Sequence, residues 1–393
     1  MAEAWEMRKP EIKRVLITGG AGFIGSHTAD AVIRAGYKVR ILDLLDPQIH
    51  GGTTSFPGYM HPDFECLHGD VRNPRDVDAA LDATDAVFHF AALTGVGQSM
   101  YDIRNYVDTN CTGTATLLEA IIKREKQVRS LVLASSRAVY GEGTHECQIC
   151  GIVYPPPRSK PDLELGKFAS YCPNCSHELS PVPTSENRPL FPISVYGWTK
   201  KQQEEQCEYV AKTFGIPVSI LRYFNVYGSR QSLSNPYTGV VSIFYSRLKA
   251  GQPISLYEGG KPMRDFIHVS DVARANLLAL ESAVDPVATI NVGTGRAVSI
   301  LDVANTLGHA CAITPRLEDR GEFRVGDINS CYADLKQAVQ LLGFRPQMSL
   351  KDGMEEFVEW AQEQKSTDLY QTTVDELQRH GLFGRARNEG ERR

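Results

Sequence analysis

Short apolar runs separated by amphipathic stretches fill the first part of the chain. Arg14-Val-Leu-Ile-Thr18, Lys38-Val-Arg-Ile-Leu-Asp43, Ala86-Val-Phe-His-Phe-Ala-Ala92 and Leu131-Val-Leu-Ala-Ser135 predict strands, the later ones buried on both faces. Between the first two, Ser26 to Gly36 predicts a helix that stops at its glycine. Strands alternating with helices give the βαβ pattern of a parallel sheet joined by right-handed crossovers. No internal repeat or low-complexity segment interrupts it, and Gly384 to Arg393 reads as a disordered, charged tail.

Composition narrows the class. The 393 residues, 42% hydrophobic and 23% charged, can form one large domain or two modest ones. A net charge of -5 argues against a nucleic-acid platform. No apolar run approaches a membrane span, and Met1 to Pro10 lacks the apolar core of a signal peptide. A cytoplasmic protein is expected, its nine cysteines reduced or metal-bound.

The turn after the first strand is Thr18-Gly-Gly-Ala-Gly-Phe-Ile-Gly25, which reads as Gly20-x-Gly22-x-x-Gly25 or as Gly19-x-x-Gly22-x-x-Gly25. Either way the glycines allow a tight turn, close approach of the backbone to a pyrophosphate, and close packing of helix on strand. Asp43 ends the second strand, where a carboxylate accepts hydrogen bonds from ribose hydroxyls and repels a 2′-phosphate, favouring NAD over NADP. Asp70, in Gly69-Asp70-Val71 after the third strand, is a candidate adenine contact or an ordinary turn aspartate. Downstream, Tyr196-Gly-Trp-Thr-Lys200 places a tyrosine and a lysine on one helix face. A nearby ammonium stabilises a phenolate and moves its pKa from about 10 toward neutrality, which suits deprotonation of an alcohol beside a nicotinamide.

Cys147-x-x-Cys150 and Cys172-x-x-Cys175 form a second constellation. Two such turns can bring four thiolates to one tetrahedral zinc with no open position, hence a structural ion. His145 and His177 are alternative ligands, and a disulfide pair or four idle thiols are the competing readings. Metal binding would order a proline-rich loop, and because the insertion separates Ser136 from Tyr196 it is expected near the active-site mouth. Cys66, Cys111, Cys207, Cys311 and Cys331 lack such spacing and read as core or surface residues.

Together with Phe90-Ala-Ala92, Asn110, Ser135-Ser136, Arg222-Tyr-Phe-Asn-Val-Tyr-Gly228 and Arg264-Asp-Phe-Ile-His-Val269, these motifs resemble, from about Lys13 to Trp360, the extended short-chain dehydrogenase/reductases that act on nucleotide sugars. The resemblance implies an α/β fold, a Rossmann-type doubly wound parallel sheet with a smaller C-terminal α/β substrate domain, here carrying a four-cysteine zinc-knuckle insertion. The implied boundaries are 13–230 for the NAD-binding domain with insertion 141–190, 231–365 for a predominantly nucleotide-sugar-binding domain, and 366–393 for a tail. It places NAD on Gly19, Gly22, Phe23, Ile24, Gly25, Asp43, Asp70, Val71, Ala91, Ala92 and Asn110, besides Tyr196 and Lys200. Tyr196 would be the general base, Lys200 would hold the nicotinamide ribose and lower the tyrosine pKa, and Ser136, with Ser135 as its rival, would bond the reacting hydroxyl. Thr94, Asn225, Arg264 and Arg230 would contact the nucleotide diphosphate sugar. A surface pair with Asp265 is the competing reading of Arg264.

Sugar-nucleotide 4,6-dehydratases of this family carry an Asp-Glu pair after the serine, and here Arg137 and Ala138 occupy those positions. The expectation is therefore 4-epimerisation: oxidation at the sugar C4 to a 4-keto intermediate and re-reduction from the opposite face. The insertion, with Thr94-Gly-Val-Gly-Gln-Ser-Met100 and Gln231-Ser-Leu-Ser-Asn-Pro-Tyr-Thr-Gly239, most resembles the dTDP-L-rhamnose 4-epimerase branch. In those two segments Thr94 to Met100 would line the sugar pocket and Asn235 to Val240 would contact nucleotide or sugar. A nucleotide-sugar reductase or dehydrogenase that releases NAD(P), and a non-catalytic NAD-binding protein, are the alternatives. By the same resemblance, Tyr196 to Phe214 and Asn105 to Lys123 would pair with their copies in a homodimer.

Overall fold

The computed structural model describes residues 12–387 except 125, 126, 236, 238, 283 and 285. The expected leaderless N-terminus, two positions of the Asn235 to Val240 loop, and tail residues 388–393 therefore lie outside the described residues. Seven parallel strands form the central sheet: β1 (Arg14–Thr18), β2 (Lys38–Asp43), β3 (Glu65–His68), β4 (Ala86–His89), β5 (Ser130–Ser136), β6 (Val218–Tyr223) and β7 (Val287–Val292), in the order β7-β6-β5-β4-β1-β2-β3. The order reverses between β1 and β4, which opens a crevice at their carboxyl ends. Successive side chains alternate faces: Val15 and Ile17 pack with Ile41 and Phe88 on one side, Leu16 with Leu42 and Val87 on the other.

Helices α1 (Phe23–Arg34) and α5 (Val269–Glu281) cover the first face, while α2 (Pro74–Ala80), α3 (Gly113–Ile122) and α4 (Val195–Phe214) cover the second. The first helix begins three residues before the expected Ser26 because Gly22 caps it, and the fourth strand stops at His89, before Phe90 to Ala92 turn into the crevice. Helical backbone runs without a break from Ile103 to Ile122, much as expected for Asn105 to Lys123, but widens into a π turn at Val107–Thr112, a feature that redirects side chains.

Although β7 lies within 231–365, it completes the central sheet, and α5 packs on α1. The rest of that segment builds a second core from helices Val240–Lys249, Ile300–Ala310 and Leu350–Gln362. Residues 366–387 are no loose tail. Helix Tyr370–Arg379 buries Val374 and Leu377, each worth about 1.5–3 kcal/mol, and strand Phe383–Arg385 pairs antiparallel with Glu322–Arg324. The insertion folds as a three-stranded antiparallel lobe of His145–Cys147, Gly151–Val153 and Ser180–Pro181. No described helix is long and apolar enough to cross a membrane.

Candidate active site

A cavity of about 670 Å³ follows the crevice from the glycine turn to the C-terminal helix. Gly19, Gly22 and Gly25 line it and Gly20 does not, which favours the second reading of the turn. Gly19 sits at φ 69° against the Ala91 backbone, and a Cβ on Gly25 would stand 2.3 Å from Gly19 O. A Cβ on Gly22 would meet only that same oxygen, at 3.4 Å, so its other side is open. No side chain caps the N-terminus of α1. Unsatisfied amides and open glycine backbone facing a crevice make a fitting cradle for a pyrophosphate. Asp43 accepts from Ala21 N and Leu45 N, both at 2.9 Å, with lone pairs remaining for ribose hydroxyls. Phe23, Ile24, Asp70, Val71, Ala91 and Ala92 also line the cavity, Asp70 in a 2.6 Å ion pair with Arg72.

Asn110 is placed differently from expectation. The π turn points it inward, fully buried, where it accepts from Leu93 N at 2.8 Å and donates to Leu93 O and Thr199 Oγ1. Its side chain ties the strand-four loop to α4 and is not among the cavity-lining residues.

Ser136, Tyr196 and Lys200 converge on the middle of the cavity. Tyr196 is 8% exposed; burial raises its pKa above the usual 10, opposed by the Ser136 hydroxyl bonded to it and the nearby Arg137 charge. Lys200 donates to Ala134 O at 2.8 Å, and burial brings its pKa down to about 8. The expected lowering by lysine is not seen; Ser136 and Arg137 oppose the rise from burial only in part. Ser135 instead gives its hydroxyl to Glu204 at 2.5 Å, and Glu204 grips Arg222 through both carboxylate oxygens, at 2.9 and 2.7 Å.

The far end of the cavity is cationic. Arg264 lies against the carbonyls of Met263, Ile328 and Asn329 at 2.7–3.0 Å, and burial lowers its pKa to about 10. It does not pair with Asp265, which turns away to Thr294, Gly295 and Ala333. Asn225 Oδ1 is buried without a partner. Arg230 lies instead at the glycine-turn end, paired with Asp30 of α1 at 2.8 Å and stacked on Tyr59, whose hydroxyl donates to Ala21 O. Thr94 lines the cavity and is exposed. Arg324 and Asp327, an ion pair at 2.8 Å, and Thr373, Val374 and Leu377 complete the wall. Sequence reading singled out none of these five. The apolar spacing of Val374 and Leu377 was the one usable signal.

The four sulfurs of Cys147, Cys150, Cys172 and Cys175 lie within 4.8 Å of one another, with Cys147 and Cys150 at 3.4 and 3.6 Å from Cys175. Zinc–sulfur bonds of about 2.3 Å imply tetrahedron edges of about 3.8 Å, so the donor set fits one ion. The amides of Cys150 and Ile149 lower the Cys147 pKa toward thiolate. Neither His145 nor His177 joins the cluster. Among residues 141–190 only Gly141 lines the cavity, so the lobe is no part of its wall.

The pattern of the NAD dependent epimerase/dehydratase family matches residues 15–160 and 172–293. The chain belongs to this family. Its break, at 161–171, falls inside the cysteine-bearing lobe. A dTDP-L-rhamnose 4-epimerase from Burkholderia thailandensis is 36% identical over 355 residues, 88% of this chain and 94% of that protein. A UDP-N-acetyl-alpha-D-glucosaminuronate decarboxylase from Bacillus cytotoxicus is 30% identical, over 89% and 98% of the two chains. The crystal structure of a UDP-glucuronic acid 4-epimerase from Bacillus cereus, in complex with UDP-glucuronic acid and NAD, superposes with a TM-score of 0.72 at 28% identity, over 89% of this chain and 99% of that one. The epimerase/dehydratase family thus contains both 4-epimerases and decarboxylases among these relatives, and the choice between reactions falls to the residues around Tyr196.

Proposed function

We propose that the chain is an NAD-dependent nucleotide-sugar 4-epimerase acting on dTDP-L-rhamnose or a related dTDP, UDP or GDP sugar. The observation that carries this is Ser136, Tyr196 and Lys200 gathered on one cavity where Arg137 and Ala138 replace an acid–base pair. Held along Gly19 to Gly25 and Asp43, NAD supplies a hydride acceptor and donor beside the sugar C4. Tyr196 takes the proton of the C4 hydroxyl and later returns one to the same oxygen, while Ser136 holds that oxygen by hydrogen bond. Lys200 steadies the ribose end, and its positive charge favours the phenolate once substrate has closed the site. Asn225 and Arg264 bind the diphosphate, Arg230 is a further phosphate partner beside the glycine turn, Thr94 faces the sugar, and the helix Tyr370–Arg379 excludes water. We divide the chain accordingly into 13–230, with insertion 141–190, and a predominantly sugar-nucleotide-binding 231–365.

The test is turnover of dTDP-L-rhamnose by the purified protein without added cofactor, with NAD released on denaturation. A requirement for stoichiometric external NADH or NADPH would replace the epimerase by a reductase.

We further assign one structural zinc per chain to the cysteine cluster. Cys172→Ser is expected to abolish stoichiometric zinc in elemental analysis and to lower thermal stability while NAD content stays at wild-type level. Metal-free wild-type protein would remove the assignment. A reducing cytoplasm would keep all nine cysteines out of disulfides, four of them as zinc ligands. Trp198 and Tyr209, 43% and 69% exposed, lie eleven residues apart on the same face of α4, which supports the proposed homodimer. Sedimentation should give twice the chain mass. A concentration-independent monomer would refute the pairing.

A further inference from the structure

Arg158 lies in the lobe between the two cysteine pairs, yet its guanidinium leaves the lobe. It is 6% exposed and wedged between Glu142, at 3.6 Å, and Glu258, which it grips with both amines, one contact at 3.1 Å. It also donates to Phe168 O and Asp327 O, both at 2.9 Å. Glu142 in turn accepts from Asn329 N at 2.6 Å and Ser330 N at 3.3 Å, and Gly143 N bonds Ser330 O at 2.8 Å. The segment Asp327 to Ser330 is therefore clamped from the lobe side.

The other side of that segment faces the cavity. Ile328 O and Asn329 O orient Arg264, and Asp327 pairs with Arg324. Glu258 lines the same cavity from a left-handed backbone, φ 52° and ψ 37°, which strains a non-glycine residue. A buried carboxylate in a strained turn holds its place only when its charge is matched, and Arg158 matches it. One carboxylate held by both amines and two carbonyls around one guanidinium use the planar fork in a way an ammonium cannot, with Glu142 adding its charge at 3.6 Å from Nε.

We propose that Arg158 is a positioning residue through which the cysteine lobe sets the nucleoside-diphosphate end of the cavity. By pinning Glu258 and the Asp327 carbonyl it holds Arg324 and Arg264 in place to meet paired phosphate oxygens, without touching the ligand. This rests on the reading that the cationic end takes the diphosphate, and it makes the lobe a determinant of substrate affinity and no part of the hydride chemistry.

The experiment compares the full-length wild type with Arg158→Ala and Arg158→Lys. Calorimetric titration with dTDP and with UDP, steady-state KM and kcat for the sugar, and NAD content are measured together. Arg158→Ala should weaken nucleoside-diphosphate binding and raise KM in parallel by about tenfold to a hundredfold, with kcat within about threefold and NAD retained. Arg158→Lys, keeping the charge without the fork, should recover part of the loss. Affinity within about twofold of wild type, or a kcat loss at unchanged affinity, would overturn the proposal. Loss of NAD together with affinity would also overturn it, because the residue would then support the whole fold. A wild type that binds dTDP yet epimerises no sugar would remove the assigned reaction and leave Arg158 to be judged by the titration. Binding of neither nucleotide would remove both readings.

Discussion

Tyr196→Phe is expected to lower turnover by about 10²–10⁴-fold while the purified protein keeps its NAD. The ring packs with Tyr106 and Ala138 and against Leu93, Val96 and Val195, all of which phenylalanine preserves, so neither fold nor cofactor cradle should change. What disappears is the one buried hydroxyl that meets Ser136 in the middle of the cavity. Lys200 keeps its bond to Ala134 O. The measurement is the sugar interconversion rate together with NAD released on denaturation. Turnover near wild type would mean that another group moves the proton. Loss of NAD with loss of turnover would mean that the tyrosine is structural.

The largest stability effect is expected at Glu204. Its carboxylate meets Arg222 with both oxygens, the two side chains being 2% and 5% exposed, and also accepts from Ser135. Glu204→Ala would leave the Arg222 charge buried with only Tyr140 Oη and Glu186 O, at 3.0 Å each, as hydrogen-bond acceptors. Breaking such a pair costs about 3–5 kcal/mol, against a total stability of about 5–15 kcal/mol for an ordinary domain. Glu204→Gln should cost less, because the amide oxygen still accepts one hydrogen bond. The urea midpoint, with NAD bound in every sample, is the check. A change below about 1 kcal/mol would show that water or a neighbour repairs the site.

The strands and the glycine turn were legible because their rules are local. A continuous apolar run, a glycine that must lie near another backbone and a carboxylate at a strand end each announce themselves within a few residues. The two Cys-x-x-Cys turns are of the same kind, and the structure brings their four sulfurs together. Asn110 was misread because its side chain serves the Leu93 backbone and Thr199, which no motif spells out. The C-terminal segment was misread because charge at its end outweighed the apolar spacing of Val374 and Leu377.

By itself the sequence determined the class of sheet, the place of the glycine turn, and the spacing that puts Tyr196 and Lys200 on one face of a helix. Those depend on backbone geometry over one or two turns, and residue type is enough to impose it. Only the tertiary structure decided that Ser135 turns to Glu204 and Ser136 to Tyr196, that Arg264 rests on carbonyls and not on Asp265, and that Arg158 reaches Glu258 and Asp327, 100 and 169 residues away. Neighbouring serines or arginines carry the same local preferences. Which partner each one takes is set by which polar groups the packed core leaves unsatisfied nearby, a condition that exists only after distant segments have met.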